Sequence, residues 1–114
     1  MKGKYQAAFI IPMGVNKVLG EDGWEFESAA RLSKEVRDYL IQSLNLSFLE
    51  SYLEIEVYVD DDIKMSIIFD GQNEIESIHF QLYGESLSIL SGVCQGSLVL
   101  SEAELFIPRQ EHEQ

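Results

Sequence analysis

The stretch Tyr52–Leu82, YLEIEVYVDDDIKMSIIFDGQNEIESIHFQL, decides the fold. Its apolar and polar residues alternate with a period of two, the spacing of a strand with one face in a core and the other in water. Leu53, Ile55, Val57 and Val59 fall on one side of the first run, and Tyr52, Glu54, Glu56 and Tyr58 on the other. Asp60-Asp61-Asp62 reads as a turn, after which Ile63, Met65, Ile67 and Phe69 repeat the alternation. Asp70-Gly71-Gln72-Asn73 turns the chain again, and Ile78, Phe80 and Leu82 carry a third strand with His79, Gln81 and Tyr83 opposite. Three strands joined by short polar turns form an antiparallel meander.

Upstream the period lengthens. Leu32, Val36, Tyr39, Leu40 and Leu44 recur at spacings of three and four and form one stripe of a helix. Ser28 is the expected N-cap, with Glu25 and Glu27 near the positive end of the helix dipole, and the helix should end near Asn45 to Ser47. Tyr5–Ile11 is a short apolar strand closed by Pro12, and GVNKVLGEDG (14–23) reads as an irregular loop. Beyond Gly84 the short apolar runs SLSIL, SLVL and ELFI are expected to add two or three strands, the last stopped by Pro108. The expected fold is α+β, a single antiparallel sheet of about five or six strands packed against one main helix. One domain should cover residues 1–108, with a polar tail at 109–114. Leu53, Ile55, Val57, Met65, Ile67, Phe69, Phe80 and Leu82 are expected to face the Leu32, Val36 and Leu40 stripe.

A chain of 114 residues, almost half of them apolar, can bury a core without disulfides. Its one cysteine, Cys94, fits a reducing compartment, and Tyr5–Ile11 is too short for a signal core, so a cytoplasmic protein is expected. Twenty Asp and Glu against eight Lys and Arg give a net charge of −12, a field that repels nucleic acid and anionic membranes and attracts basic proteins. Between residues 50 and 76 nine acids accompany one base, Lys64. A surface built for solubility alone mixes charge signs, and aromatic residues among carboxylates are typical of protein-binding faces. The expected partner surface is therefore Tyr52, Glu54, Glu56, Tyr58, Asp60, Asp61, Asp62, Asp70, Glu74 and Glu76.

Catalytic and cofactor patterns fail on spacing. A calcium loop starting at Asp60 would need glycine where Met65 stands and glutamate where Gly71 stands. Asp62-Ile63-Lys64 has the acid-x-Lys form of a metal-dependent nuclease without a second acid upstream. Nothing in the sequence links Cys94 to His79, and His112 sits between two glutamates in the tail. GVNKVLGEDG has neither a dinucleotide nor a phosphate-loop spacing, and Trp24 beyond it reads as a core or lid residue. No enzyme activity, metal or cofactor is expected.

In its size, acidity and lack of a catalytic motif the chain resembles, at the level of a class, the small immunity proteins that bacteria pair with polymorphic and contact-dependent toxins. That resemblance implies stoichiometric occlusion of a cognate basic toxin domain, a nuclease above all. Two other classes share the same features. A DNA-mimic inhibitor would use its carboxylates as phosphates, and a non-catalytic adaptor or structural subunit would use apolar strand edges.

Overall fold

The computed structural model describes residues 4–95 and 97–108. The chain runs β1 (Gln6–Pro12), β2 (Asn16–Gly20), β3 (Gly23–Glu27), α1 (Lys34–Leu44), β4 (Ser47–Tyr52), β5 (Ile55–Asp60), β6 (Ile63–Phe69), β7 (Ile75–Leu82), α2 (Ser86–Cys94) and β8 (Ala103–Phe106). Six strands form one sheet in the order β4-β5-β6-β7-β1-β8, with every pairing antiparallel. The α+β class and the β5-β6-β7 meander agree with the sequence reading. The expected tail, 109–114, lies outside the described residues.

The helix starts later than expected. Residues 28–32 are not helical: Ser28 Oγ accepts from Ala30 N, and Leu32 N donates to Ile75 O, tying this segment to the start of β7. The N-cap is Ser33, whose Oγ accepts from Glu35 N. At the other end Asn45 adopts a left-handed conformation (φ 57°), Asn45 N donates to Gln42 O and Leu46 N to Ile41 O, which satisfies those two carbonyls of the last turn. Val36, Leu40 and Leu44 are the buried stripe of α1. They share a core with Ile63, Met65 and Ile67 of β6, Ile78, Phe80 and Leu82 of β7, and Ala8 and Ile10 of β1.

SLSIL is not a strand. Leu87, Leu90 and Cys94 of α2 fall at helical spacing, and Leu90 is fully buried in the α1 core. Tyr39 Oη donates to Val93 O, joining the two helices on one face of the sheet. Of the other two runs, SLVL lies outside any helix or strand and ELFI supplies β8.

GVNKVLGEDG also departs from its expected loop. It forms β2 and the start of β3, joined by a two-residue turn at Glu21 and Asp22, with Gly23 at φ 116°. Lys17 pairs with Phe26 and Leu19 with Trp24, so these four share a face. That face packs on the side of the sheet away from the helices. Phe26 meets Phe9 at 5.1 Å between ring centroids, and Trp24 meets Phe106 edge-on at 4.9 Å. Lys17 Nζ reaches Glu104 at 3.1 Å. The hairpin therefore lids β1, β7 and β8, which explains why FII in β1 is apolar at consecutive positions: Ile10 faces the helices, while Phe9 and Ile11 face the hairpin.

Candidate functional site

The turn at the aspartates decides which side of β5 faces the helices. The expected three-residue turn would place Val59 beside Ile63. The observed turn is Asp61-Asp62, and Asp60 pairs with Ile63. One residue in turn length reverses the parity of the whole strand. Opposed residues in antiparallel strands share a face, so Tyr58, paired with Met65, and Glu56, paired with Ile67, lie on the helix side. Val57, paired with Ser66, lies on the other side, as do Ile55 and Val59. Val57 is buried there, and Ile55 is 37% exposed. The expectation that Ile55 and Val57 face the α1 stripe is overturned, although Met65, Ile67, Phe69, Phe80 and Leu82 do join that core.

A second tight turn corrects the rest. β4, which alternation in the sequence does not reveal, ends at Tyr52 and pairs with Ile55 across the two-residue turn Leu53-Glu54. Leu53 is thus a turn residue and 82% exposed, instead of a core residue. Its φ of 55° is left-handed, a region that a leucine enters only against steric resistance. Tyr52, opposite Ile55, lies on the side away from the helices, whereas Tyr58 lies on the helix side. The two tyrosines expected to anchor one partner are on opposite faces.

The carboxylates divide in the same way. Asp60, Asp61 and Asp62 stand at one end of β5, where the Asp62 carbonyl accepts from Tyr83 N and Ser86 Oγ. Glu54, Asp70, Glu74 and Glu76 stand at the other end, about 20 Å away at ~3.3 Å per residue. There Phe69 N donates to Glu54 O. Several of these acids are already compensated. Arg31 Nε donates to Asp70 Oδ2 at 2.8 Å and its guanidinium lies 3.8 Å from Glu76. The Arg31 bond, helped by the Glu74 and Gln72 amides on Asp70 Oδ1, holds the Asp70 carboxyl down at about 2. Asp70 organises the β6–β7 turn. Glu56 accepts from Arg37 Nη1 at 3.3 Å and from Tyr58 Oη at 3.1 Å, and burial, with Glu56 close by, raises the Tyr58 phenol. Among the described residues Glu50 and Glu54 have no such ion-pair or hydrogen-bond partner for their carboxylates.

What the fold does bring together is an exposed apolar edge. All six residues of β4 are exposed, and Phe48, Leu49, Tyr52 (70%) and Leu53 stand in one continuous segment with Glu50 and Glu54. Phe48 contacts Tyr58 edge-on at 5.5 Å. The β4 register shifts between Phe48 and Glu50, so the strand carries a bulge at Leu49. A groove of about 230 Å³ opens beside the Leu53-Glu54 turn, walled by Leu53, Ile55 and Phe69 and carrying Glu54, Glu56 and Asp70. The sequence signal for this edge is SFLESYLE (47–54), four apolar or aromatic residues with no clean period beside two acids.

Cys94 and His79 cannot act together. Cys94 is on the helix side, lining a cavity of about 170 Å³ with Ile10, Leu100 and Leu105, and burial pushes its thiol up to about 11. His79 pairs with Phe9 and Ser66 on the hairpin side, edge-on to the Phe9 and Phe26 rings, with Nε2 3.0 Å from Ser77 Oγ. Burial lowers its imidazole to about 4. Among the described residues no group of three or more His, Cys, Asp or Glu side chains is placed to hold a metal ion, and no helix is long and apolar enough to cross a membrane. The chain matches no family model, no curated protein and no solved structure.

Proposed function

We propose that this chain is an immunity protein, a non-catalytic cytoplasmic inhibitor that occludes a cognate basic toxin domain, a nuclease, by one-to-one binding. The observation that carries the reading is the β4–β5 tip. An 82% exposed leucine is held there in a left-handed backbone conformation between exposed Tyr52 and exposed Glu54. A strained, apolar, solvent-facing residue contributes nothing to the core, and strain of this kind is retained where a surface has work to do. Interface anchors are aromatic or large apolar groups surrounded by polar residues, and Tyr52 and Leu53 with Glu50 and Glu54 have that composition. A net charge of −12 supplies the long-range attraction toward a basic domain and speeds encounter before the toxin reaches its substrate. His79 and Cys94, enclosed on opposite sides of the sheet, are not placed to form a nucleophile–base pair with each other.

The working surface is therefore the β4–β5 hairpin with Tyr52 and Glu54, while Glu74 and Glu76 at the β6–β7 turn add to the field. Tyr58, Glu56 and Asp70 serve the fold, and the Asp60–Asp62 turn supplies field at a distance. The test is co-expression with the toxin domain encoded beside this chain's gene. That domain should be basic, should kill when produced alone in the cytoplasm, and should be tolerated when this chain is made in equal amount. Their association should slow as salt rises. Binding that ignores ionic strength, or a neighbouring product that is neither toxic nor bound, sinks the reading.

A further inference from the structure

We infer that, if the chain is a stoichiometric binder of a basic protein, the binding mode is strand addition: an extended basic segment of the partner pairs with the free edge of β4 as a seventh strand. Among the described residues β4 is the terminal strand of the sheet and pairs only with β5, so one row of its backbone groups has no sheet partner there. The two-residue turn makes Tyr52 and Ile55 the pair that exchanges both backbone hydrogen bonds, which directs the N–H and C=O of Ser51 outward. Soluble proteins blunt such an edge with charge, proline or bulges; β4 contains no lysine or proline, and its blunting devices are the bulge at Leu49 and the charge of Glu50, which turns away a like-charged strand but not a basic one.

Charge selects the occupant. Glu50 projects on the side of Tyr52 and Ile55, and Glu54 at the turn opens into the groove with Glu56 and Asp70 behind it. A lysine or arginine on the added strand would lay its aliphatic stem along Leu53 and Ile55 and bring its cation to Glu54, the one of those three carboxylates not already held by an arginine or its neighbours. A second copy of this chain is disfavoured at the same edge, because antiparallel pairing of β4 with itself brings two strands carrying Glu50 together between bodies of charge −12. Main-chain bonds along β4 would give affinity, and the groove would give the preference for a base.

The test uses the full chain and a labelled peptide of about eight residues alternating lysine or arginine with valine, long enough to span β4. Saturable binding is expected, with slowed hydrogen exchange at backbone amides of Ser47–Tyr52. Methylating alternate peptide nitrogens along the edge that pairs with β4 should weaken binding about tenfold or more, and methylating the other edge should not. Ser51→Pro in the chain should have the same effect as the damaging methylation pattern. The methylation arms use the unmodified chain, so the outcome does not depend on that variant folding. No binding, equal effects of the two methylation patterns, or protection confined to other strands overturns strand addition. So does a concentration-dependent dimer that excludes the peptide, which would make a second copy the occupant. If strand addition fails in these arms while the chain still neutralises its toxin, the inhibitor reading stands. If the peptide binds as expected and no toxin is neutralised, the edge site stands and the inhibitor reading falls.

Discussion

β1 and β4 are strands of seven and six residues in the same sheet, each rich in apolar side chains, and their surroundings are opposite. From Ala8 to Pro12 β1 is buried throughout; in β4 every residue is exposed. β1 sits between β7 and β8, with helices on one side and the β2–β3 hairpin on the other, while β4 ends the sheet. The same kind of side chain therefore stabilises the fold in one strand and is available to a partner in the other. Position in the sheet, more than composition, assigns the task.

The largest effect should come from the buried strand. Ile10, 1% exposed, touches the central core, and Ile10→Ala should lower unfolding free energy by about 2–5 kcal/mol in urea titrations, whereas Leu49→Ala should stay within about 0.5 kcal/mol. Equal losses would erase the distinction between the strands.

Protonation probes the hairpin side of the buried half. His79 has a folded-state value lowered to about 4 from 6.5, so the unfolded chain takes up the proton first. Its contribution is fully present above pH 6.5 and is lost as pH falls from there toward 4, by at most about 3 kcal/mol. Asp70, held at about 2 instead of 3.8, acts in a separate window: its contribution is present above 3.8 and disappears as pH falls through 2. Thermal melts across pH should show the upper decline, and His79→Gln should flatten it. A decline unchanged by that variant would mean the hairpin interface is not where the proton acts.

Smaller effects belong to the exposed edge. Tyr52→Ala should weaken partner binding by about 2 kcal/mol, mainly through faster dissociation, with little change in stability, while Tyr58→Ala should chiefly destabilise the fold. The finest test is Leu53→Gly. Relief of the left-handed leucine, offset by the greater freedom of glycine when unfolded, should raise stability by about 0.5 kcal/mol and weaken partner binding. A variant that gains stability while binding unchanged would show that the strained tip serves no partner.

The meander was legible because Ile63, Met65, Ile67 and Phe69 alternate without interruption, and so do Ile78, Phe80 and Leu82. α1 was legible from the spacing of Val36, Leu40 and Leu44. The parity of β5 was not, because Asp60-Asp61-Asp62 is equally polar whether two or three of its residues turn, and only pairing across the hairpin distinguishes Asp60 from Val59 as the partner of Ile63. β4 was hidden since an edge strand exposed on both sides has no need to alternate. Its bulge at Leu49 breaks what period remains. In α2, Ser86, Ser88 and Ser91 obscure a short helix in which Ser86 and Leu90 are buried and Leu87, Val93 and Cys94 are partly buried against the core. The acid-rich stretch was visible at once, but arginines far away in sequence, Arg31 and Arg37, decide which acids are spent on the fold.

The place of β1 between β7 and β8 also sets the order of assembly. Gln6 pairs with Leu82, and Phe9 with Phe106, so β1 finds its neighbours only after the whole β4–β7 meander and then β8 have been made. The β4–β7 meander needs only local hairpin closures and can form while β1 is still unpaired. During that interval AAFII, uncharged and rich in β-forming residues, is the segment most prone to pair with another chain. Joining β1 to β7 and β8 closes contacts of far greater sequence separation than the hairpins of the meander, so it is the slower step expected in assembly.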